Sequence, residues 1–350
     1  MKILHIIHAL QKAAGTSFFC VELCQHLKAS GNDVLIVCQG ADEYPSKSVI
    51  VSKIGDFKEI QFVPDVVHIH GLWDFFMHQA MLWCREKHFP YIISLHGCLM
   101  PYALSCSVWK KRLALYLYLK FDLKNARRLH VTSALEKATA DQQGLGVESV
   151  IVPLGCDIPV LSDKKGRRVR MALFLSRISP EKGLFNLLRA WDMVDTAGWQ
   201  LVIAGPDWRG HLSEVSAFVK ERGMENVRFV GPAYAKDKEM LYREADFFVL
   251  PSLTENFSAV VAEAMSYGLP VVTTKGTPWA ELETERCGWW VDLGVDPMQR
   301  VLDVVLNLTD GKREDMGKRG RTLIEREYSW QIVANKMQSV YAKSLDAIHG

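Results

Sequence analysis

The feature that most constrains the fold is a regular alternation of short apolar runs with longer amphipathic stretches. In the first half of the chain the runs KILHII, DVLIVCQ, DVVHIHG, YIISLHG, RLHVTS and SVIVPLG have the character of strands. Between them lie stretches with helical spacing, such as SFFCVELCQHLKASG and FFMHQAMLWCREKH. Strands that alternate with helices form a parallel sheet covered by helices. The sequence therefore predicts an α/β fold.

The alternation is interrupted once, by the polar and basic segment CDIPVLSDKKGRR at 156–168, and restarts with VRMALFLSR. We expect two doubly wound, Rossmann-like domains at residues 1–160 and 168–325, joined by this segment. The tail from about residue 300 is helical only, and the last helix, 326–350, is expected to pack back on the first domain. Ligands of such sheets bind beyond the carboxyl ends of the strands. Functional residues should therefore lie in the loops that follow strands, facing a cleft.

Composition and charge exclude several classes of function. Apolar residues make up 49% of the 350 and charged residues 23%, which is typical of a globular protein with a large core. The formal net charge of +2 gives no support to nucleic-acid binding. No stretch reaches the ~18–20 apolar residues that span a bilayer, and KILHIIHAL is interpreted as a buried strand rather than a secretion signal. The eight cysteines form no CxxC pair and predict reduced, buried thiols in a cytoplasmic protein.

Two carboxylates, Glu255 and Glu263, lie eight positions apart in PSLTENFSAVVAEAMSYGLPVV. A strand precedes them, and a helix should begin at an N-cap Ser258 and end at Gly268. Eight helical residues rise ~12 Å, whereas the carboxylates of a retaining glycosidase are only ~5 Å apart. The two can instead hold opposite ends of one long ligand.

The helix N-terminus between these carboxylates is a good position for phosphate, because its backbone N–H groups are free and its dipole is positive. A ligand with hydroxyls at both ends and phosphates in the middle is a nucleotide-sugar. Glu263 would hold the ribose and Glu255 the sugar. A buried ion pair is the alternative for Glu263, and an ordinary loop carboxylate is the alternative for Glu255.

Two cations follow another strand end, in LFLSRISPEKG at 173–183. Arg177 and Lys182 suit a diphosphate and could stabilise a leaving group without a metal. A surface loop with ordinary charges is the alternative.

Together these motifs resemble those of the retaining glycosyltransferases of family 4, which have the GT-B fold. The likeness is carried by the Glu-x7-Glu pair and by Arg177 and Lys182, and it continues through TTKGTPWAELE and CGWWVD. The GTPW variant is similar to enzymes of bacterial surface polysaccharides such as lipopolysaccharide or capsule. The resemblance implies that Glu255 binds donor-sugar hydroxyls, Glu263 binds ribose, and Arg177 and Lys182 neutralise the β-phosphate.

The same resemblance implies that the backbone amides of Asn256, Phe257 and Ser258 line the diphosphate and the sugar. The family often has glycine where this chain has Asn256 and Ser258, so these side chains are expected to reshape the sugar pocket. In the first domain, LQKAAGTS keeps only Gly15 where the family usually has two glycines. Gly15 still begins a helix and could approach the diphosphate.

The acceptor side is expected in the first domain. His96 resembles the family's histidine near the reacting carbon, with a core or capping histidine as the alternative. His70 or Trp73 would touch the acceptor. His68, His70 and His96 are not interpreted as a metal site, because no carboxylate or cysteine completes a ligand set at recognisable spacing. The absence of an Asp-x-Asp loop fits a metal-independent transferase.

The stretch SVWKKRLALYLYLKFDLKNARRLH, helical from about 108 to 127, has two interpretations. It could lie on an anionic membrane, where lipid-linked acceptors reside. It could instead be an amphipathic helix packed on its own sheet with its charges outward. We favour packing, because the Lys and Arg residues flank the helix rather than form a stripe along it.

The sequence thus predicts a retaining, metal-independent hexosyltransferase without a cofactor, located in the cytoplasm or on the inner face of the cytoplasmic membrane. It would move a hexose or N-acetylhexosamine from a UDP- or GDP-sugar to a hydroxyl of a lipid-linked saccharide. Retention follows from the resemblance. The alternatives are a nucleotide-sugar epimerase or hydrolase on the same fold, and a non-catalytic scaffold that binds nucleotide-sugar.

Overall fold

The computed structural model describes residues 1–11, 14–41, 49–105, 107–161 and 169–346, which form two compact units. Unit 1 comprises residues 1–155 and 330–350, and unit 2 comprises residues 156–329. The sequence analysis predicts that the first domain ends at residue 160, that the second spans residues 168–325, and that the last helix begins at residue 326. Most of the predicted linker (162–168) lies outside the described residues, as do residues 12 and 13 of the Gly15 loop and the end of the predicted last helix (347–350).

Unit 1 is built on a seven-stranded sheet in which all neighbouring strands are parallel. The strands are β1 (Lys2–Leu10), β2 (Asp33–Ala41), β3 (Ile50–Lys53), β4 (Val66–His70), β5 (Tyr91–Ser94), β6 (Arg128–Val131) and β7 (Ser149–Ile151). Their order across the sheet is β3-β2-β1-β4-β5-β6-β7. The apolar strand β4 is buried along its whole length, as expected where helices cover both faces of a parallel sheet.

The helices of unit 1 are α1 (Gly15–Ala29), α2 (Phe75–Glu86), α3 (Pro101–Ser105), α4 (Val108–Ala114), α5 (Lys120–Lys124), α6 (Ala134–Asp141) and α14 (Trp330–Asp346). A π-helical turn, Leu115–Leu119, joins α4 to α5. One face of the sheet packs under α2 and α5. The other packs under α1 and α14, where Met337 and Tyr341 are fully buried. The chain therefore returns to unit 1 with its last helix.

Unit 2 is built on a six-stranded parallel sheet. Its strands are β8 (Arg170–Leu175), β9 (Trp199–Ala204), β10 (Val227–Gly231), β11 (Phe247–Leu250), β12 (Val271–Thr274) and β13 (Gly288–Val291), in the order β10-β9-β8-β11-β12-β13. Its helices are α7 (Leu184–Asp192), α8 (His211–Glu221), α9 (Ala235–Glu244), α10 (Ala259–Ser266), α11 (Glu281–Thr284), α12 (Val295–Leu306) and α13 (Asp310–Glu327). The predicted doubly wound α/β fold is therefore confirmed.

The strand order locates the ligand-binding edge of each sheet. In unit 1 the chain works outward from β1 in one direction and then from β4 in the other, so the order reverses between β1 and β4. In unit 2 it reverses between β8 and β11. Open α/β sheets bind ligands at the carboxyl ends of the strands beside such a reversal. Arg177 and Lys182 follow β8 and Glu255 follows β11, so the predicted donor residues lie at this position.

Two short strands were not predicted, β3 and β13. Strand β3 has four residues at the sheet edge, and none of them is buried, so it lacks the apolar run that marks the central strands. Strand β13 begins with a glycine and has only partly buried residues after it. Edge strands with one neighbour need less apolar surface, and hydrophobic pattern detects them poorly.

Burial also corrects one interpretation of the sequence. The favoured interpretation of 108–127 places its apolar side chains on the sheet and its charges outward. Leu119 and Leu123 do pack inward, but Trp109, Leu113, Tyr116, Leu117 and Phe121 are exposed. The helix has more large apolar residues than one buried face can hold, and the surplus faces outward.

The composition predicted reduced, buried cysteines and no membrane-spanning stretch, and both features can be examined in the described residues. Seven cysteines there are free, and six of these are buried, while Cys106 lies outside the described ranges. None of the helices in the described ranges is long and apolar enough to cross a lipid bilayer.

Candidate functional site

An ion pair joins the two loops beside the strand reversal of unit 2. Lys182 Nζ lies 2.5 Å from Glu255 Oε1, and both side chains are largely buried, at 12% and 13% exposure. The hydroxyl of Ser252 donates to the same carboxylate oxygen at 2.7 Å. Glu255 is thus a pre-positioned carboxylate with a cation beside it, as a site for a hydroxylated and anionic ligand requires.

Two glycines allow these loops to approach each other. Gly183 has a φ of +70°, and a Cβ there would lie 2.1 Å from the backbone oxygen of Pro251. A Cβ on Gly276 would lie 2.5 Å from the backbone oxygens of both Ser252 and Leu253. Only glycine fits such contacts, and it also adopts a positive φ without strain. The close approach of backbones therefore fixes the position of Glu255 and of Lys182, which directly precedes Gly183.

Glu263 is held by helix α9. Lys238 Nζ lies 2.6 Å from its carboxylate, and the hydroxyl of Tyr242 donates to Oε2 at 2.8 Å. Burial, together with the neighbouring Glu263 charge, raises the pKa of Tyr242 well above its usual value, so this phenol stays a donor. The Glu263 side chain is still 25% exposed, so one edge of it can reach a ligand.

Arg177 makes its ion pair with Glu181, whereas Lys182 makes its ion pair with Glu255. The Arg177 guanidinium lies 2.8 Å from Glu181 Oε1 and stacks over the Trp208 ring at 4.7 Å from the centroid. The Arg177 side chain is 44% exposed, so solvent surrounds much of it and it has room to change rotamer. The two predicted cations, Arg177 and Lys182, therefore lie on the same loop, but of the two it is Lys182 that pairs with Glu255.

The start of helix α10 corrects the predicted role of Ser258. This residue occupies the N-cap position, but its φ is +66° and its side chain does not cap the helix. Its buried Oγ has no hydrogen-bond partner within the part of the chain that the structure describes. Because the first amides of a helix also lack intrahelical acceptors, the hydroxyl and the helix N-terminus together offer donors to an anion. The predicted 12 Å rise does not apply, since Glu255 lies in the loop ahead of α10.

The segment between Glu255 and Ser258 is supported from below. The Phe257 ring is buried against Trp279 and Tyr328, with centroids 5.1 and 6.0 Å away. The indole N–H of Trp279 donates to the Phe257 carbonyl at 2.6 Å. Trp279 is the tryptophan of the GTPW motif, so this motif holds the loop in place. Asn256 is half-buried beside it.

Buried histidines lie side by side across the sheet of unit 1, and two chains of hydrogen bonds connect them. The first chain includes His68 and His130 and holds neighbouring elements together. His68 lies 2.6 Å from both the Tyr341 hydroxyl and Ser94 Oγ, and Ser94 Oγ lies 2.5 Å from His130 Nδ1. His130 Nε2 donates to the Val152 carbonyl at 2.8 Å. That carbonyl can only accept, so the hydroxyls of Ser94 and Tyr341 donate onward and both imidazoles are neutral Nε2–H tautomers. This chain ties strands β4, β5 and β6 to helix α14.

A second chain leads to the predicted His96. His5 Nδ1 lies 2.9 Å from His70 Nε2, and His70 Nδ1 lies 3.1 Å from His96 Nε2. His70 is buried with both ring nitrogens engaged, which makes it a support for His96 in this state rather than a surface for an acceptor. His96 has a φ of +48° at the end of β5 and is partly exposed.

Burial keeps these histidines neutral. It lowers the pKa of His5 and of His96 to about 3 and that of His130 to about 4. Burial, followed by the charges of neighbouring histidines, also takes the pKa values of His68 and His70 well below the usual range. A neutral His96 can accept or donate a hydrogen bond at physiological pH without carrying charge.

The sequence shows no cysteine at recognisable ligand spacing from these histidines, but the fold brings one close to two of them. Helix α1 brings Cys20 to His5 and His70, with one ligand atom from each within 4.8 Å of the others. Within the described ranges this is the one such group that could hold a metal ion. All three residues are buried, and the 2.9 Å hydrogen bond between His5 and His70 accounts for their arrangement without an ion.

The remaining residues predicted in unit 1 lie in two other loops. Gly15 is the first residue of α1, and a Cβ there would meet no atom of the described residues within 4 Å. Trp73 follows β4, and its indole N–H donates to the Cys98 carbonyl at 3.1 Å. The Lys111 ammonium lies 4.9 Å from the Trp73 ring centroid. Trp73 is thus held by the segment that follows His96.

One supporting residue in unit 1 was missed. The buried carboxylate of Glu136 accepts from the Gly97 amide at 2.5 Å and from the Thr132 amide and hydroxyl at 2.7 and 2.9 Å. It thereby fixes the turn that carries His96. The signal was present in the sequence SALE at 133–136, because a serine followed three residues later by glutamate marks a helix start.

Two family models match the chain. Residues 162–323 match the model described as "Glycosyl transferases group 1", and residues 51–155 match the model described as "Glycosyl transferase 4-like domain". A curated relative, the GDP-mannose:cellobiosyl-diphosphopolyprenol alpha-mannosyltransferase of Xanthomonas campestris, is 26% identical over 341 residues. That match covers 93% of this chain and 84% of that protein.

Solved structures agree over nearly the whole chain. Sucrose-phosphate synthase from Thermosynechococcus elongatus has a TM-score of 0.80 at 18% identity, over 99% of both chains. The Anabaena protein Alr3699/HepE, solved in complex with UDP and glucose, has a TM-score of 0.76 at 17% identity, over 98% of this chain and 100% of that one. At these identities the likeness establishes the fold, which is that of the GT-B glycosyltransferases.

Proposed function

We propose that this chain, which matches the models of a group 1 glycosyltransferase domain and a glycosyltransferase 4-like domain, is a retaining, metal-independent hexosyltransferase that uses a UDP- or GDP-sugar. The acceptor is a hydroxyl of a lipid-linked saccharide, and the product serves cell-surface polysaccharide synthesis. The observation that carries the proposal is the Lys182–Glu255 pair, because it spans the strand reversal of unit 2 where such sheets bind their ligands. The Xanthomonas relative supports a diphosphopolyprenol-linked acceptor, since its name specifies one.

The donor would bind along the line from Glu255 to Glu263. Glu255, held by Ser252 and Lys182, accepts hydrogen bonds from the sugar hydroxyls. The diphosphate lies at the N-terminus of α10. The first amides there can donate to it, and so can the Ser258 hydroxyl, which has no hydrogen-bond partner among the described residues. Glu263 accepts from the ribose hydroxyls through the edge that Lys238 and Tyr242 leave exposed.

Transfer develops negative charge on the departing nucleoside diphosphate. Lys182 is in place to neutralise it, and Arg177 can reach it by leaving Glu181 and Trp208. Fixed cations and helix amides stabilise such charge without a metal. In the proposed step the bond from the anomeric carbon to the phosphate oxygen breaks and a bond to the acceptor oxygen forms on the same face. The acceptor's proton passes to the departing phosphate oxygen.

Transfer itself is tested by incubating the protein with UDP- and GDP-sugars and a set of polyprenyl-diphosphate-linked saccharides. Mass spectrometry should detect an acceptor extended by one sugar, and NMR of the product should give the anomeric configuration of the donor. Conversion of the donor at the same rate without any acceptor would instead indicate the epimerase or hydrolase. Nucleotide binding with no turnover of any donor would indicate the scaffold.

Glu263→Gln should weaken the binding of the accepted nucleoside diphosphate about 10- to 100-fold. The substitution keeps the size of the side chain but removes the charge that accepts from the ribose, and hydrogen bonds to charged groups contribute ~1.5–3 kcal/mol. Titration calorimetry measures the affinity. Glu221→Gln, the same change at an exposed position of α8, is the control and should leave the affinity unchanged. Equal affinities of Glu263→Gln and wild type would remove Glu263 from the ribose site.

A further inference from the structure

The outward face of the helical segment 108–124 combines large apolar and basic side chains. Its exposed residues, all of which the structure describes, are Trp109, Lys110, Arg112, Leu113, Tyr116, Leu117, Lys120, Phe121 and Lys124. Five are apolar or aromatic, four are cationic and none is acidic. Trp109 and Tyr116 are 82% and 85% exposed, so this face packs on nothing in unit 1. We call these nine residues the outward face.

The opposite side of the segment fixes this orientation. Asp122 is the only acidic residue between 107 and 128, and it is fully buried. Its carboxylate accepts from Arg85 at 2.6 Å and lies 2.6 Å from His78 Nδ1. Leu119 and Leu123 pack beside it in the core. The segment cannot rotate to hide its outward face without exposing a buried ion pair and two leucines, which is strongly unfavourable.

The π-turn aligns the apolar residues along that face. In an uninterrupted α-helix Phe121 would be rotated by about 120° from Trp109, because each residue turns by about 100°. A π-turn contains more residues per turn, so Leu115–Leu119 rotate the chain less and bring Phe121 back toward the side of Trp109. The segment is about 25 Å long at 1.5 Å per residue, and its apolar residues are distributed along this length.

We propose that the outward face docks on the surface of a bilayer that contains anionic phospholipids. The segment would lie in the plane of the interface, with the five apolar side chains among the acyl chains. The four cations would reach up to the headgroups, since lysine and arginine bury their stems and keep their charges in water. Aromatic rings, interleaved cations and the absence of acids are the composition of interfacial helices.

The same face is poorly suited to other occupants. A second copy of this chain in a two-fold interface would bring the four cations of one copy against the equally cationic face of the other. The buried core of a protein–protein interface is depleted of lysine, whereas three lysines lie among the apolar residues here. The anionic surface of a membrane satisfies both sets of side chains at once.

This inference rests on the exposed face and not on the proposed transfer reaction, so it is tested without any substrate. Flotation with unilamellar vesicles compares phosphatidylcholine alone with phosphatidylcholine containing about a third phosphatidylglycerol. We expect the wild type to float with the anionic vesicles and at least tenfold less with phosphatidylcholine alone. Light scattering after size exclusion should show a monomer in the absence of lipid.

Two variants separate the apolar and electrostatic contributions. Trp109→Ser/Tyr116→Ser/Phe121→Ser should lower binding to anionic vesicles at least tenfold, because insertion of the rings is lost. K120E/K124E should lower it similarly and abolish the preference for anionic lipid. The controls are Val63→Ser for an exposed apolar residue and K58E/K87E for exposed cations elsewhere on unit 1, and both should bind like the wild type.

The three rings and two lysines are exposed, so unchanged melting temperatures are expected and serve as the folding check. The inference is overturned if folded wild type does not bind anionic vesicles, or if the triple variant binds them as well as the wild type. A dimer that the triple variant abolishes would also overturn it, because the outward face would then be covered by a second copy.

Discussion

Replacing Glu255 by alanine should lower kcat/KM for sugar transfer by about 10²–10³-fold. The carboxylate holds Lys182 at 2.5 Å, so its removal takes away the acceptor for the sugar hydroxyls and frees the cation that faces the leaving phosphate. Losing one pre-positioned group of an active site typically has an effect of this size. Steady-state kinetics with the accepted donor measures the change.

Three further variants make this result specific. Glu255→Gln keeps an oxygen for Ser252 and should lose less activity than Glu255→Ala. Glu283→Ala, an exposed glutamate on α11, should be neutral. Since Lys182 and Glu255 act as a unit, Glu255→Ala combined with Lys182→Met should lose less than the product of the two single effects. Near wild-type turnover by Glu255→Ala would exclude the role proposed for this carboxylate.

Acidification from pH 7.5 to 5.5 should destabilise unit 1 by about 5 kcal/mol. Four buried histidines are neutral in the folded chain. Burial lowers the pKa of His5 to about 3 and that of His130 to about 4, and it takes the pKa values of His68 and His70 well below the usual 6.5. The unfolded chain binds a proton at each as the pH falls through 6.5, while the folded chain does not. Each histidine then contributes about 1.4 kcal/mol over this interval, and stability decreases as the pH falls.

This loss is comparable to the whole stability of many domains, so the transition should be visible by calorimetry. Melting temperatures measured between pH 8 and pH 5 should fall steeply below pH 6.5. The surface residue His88 has a φ of +58°, which asparagine tolerates, so His88→Asn is a suitable control that should not change the pH dependence. A melting temperature that is the same at pH 7.5 and pH 5.5 would contradict the neutral histidine network.

The sequence was sufficient to predict what depends on local pattern. Apolar runs predicted the central strands, and alternation with helices predicted two parallel sheets. The position of Lys182 and Glu255 after strands predicted that they lie at the ligand-binding edge. These features follow from chain order and from the geometry of parallel sheets.

The contacts that hold the candidate site could not be predicted in the same way. Lys182 and Glu255 are 73 residues apart, and which of the two predicted cations pairs with the carboxylate depends on the close approach at Gly183. The support of Glu263 by Lys238 and Tyr242 comes from a neighbouring helix. No local pattern encodes these distances, because they result from the packing of whole elements.

The first unit shows the same limit in its core. His5 and Cys20 lie on β1 and α1 and read as parts of an apolar strand and an apolar helix face. Only the packing of α1 on the sheet brings Cys20 to His70. Conversely, composition alone could not separate a packed from an exposed helix at 108–127. The orientation was decided by the burial of Asp122, which depends on its partner Arg85 in α2.

Unit 2 is proposed to bind the nucleoside diphosphate of a sugar donor between Glu255 and Glu263. Thermal unfolding in the presence of UDP, GDP and their sugars tests this binding, with wild type and Glu263→Gln measured side by side. A ligand at 100 times its Kd should stabilise the wild type by about 2.7 kcal/mol. We predict this for one nucleotide family, with a much smaller shift for Glu263→Gln at the same concentration. A folded wild type that none of these nucleotides stabilises would contradict the donor site.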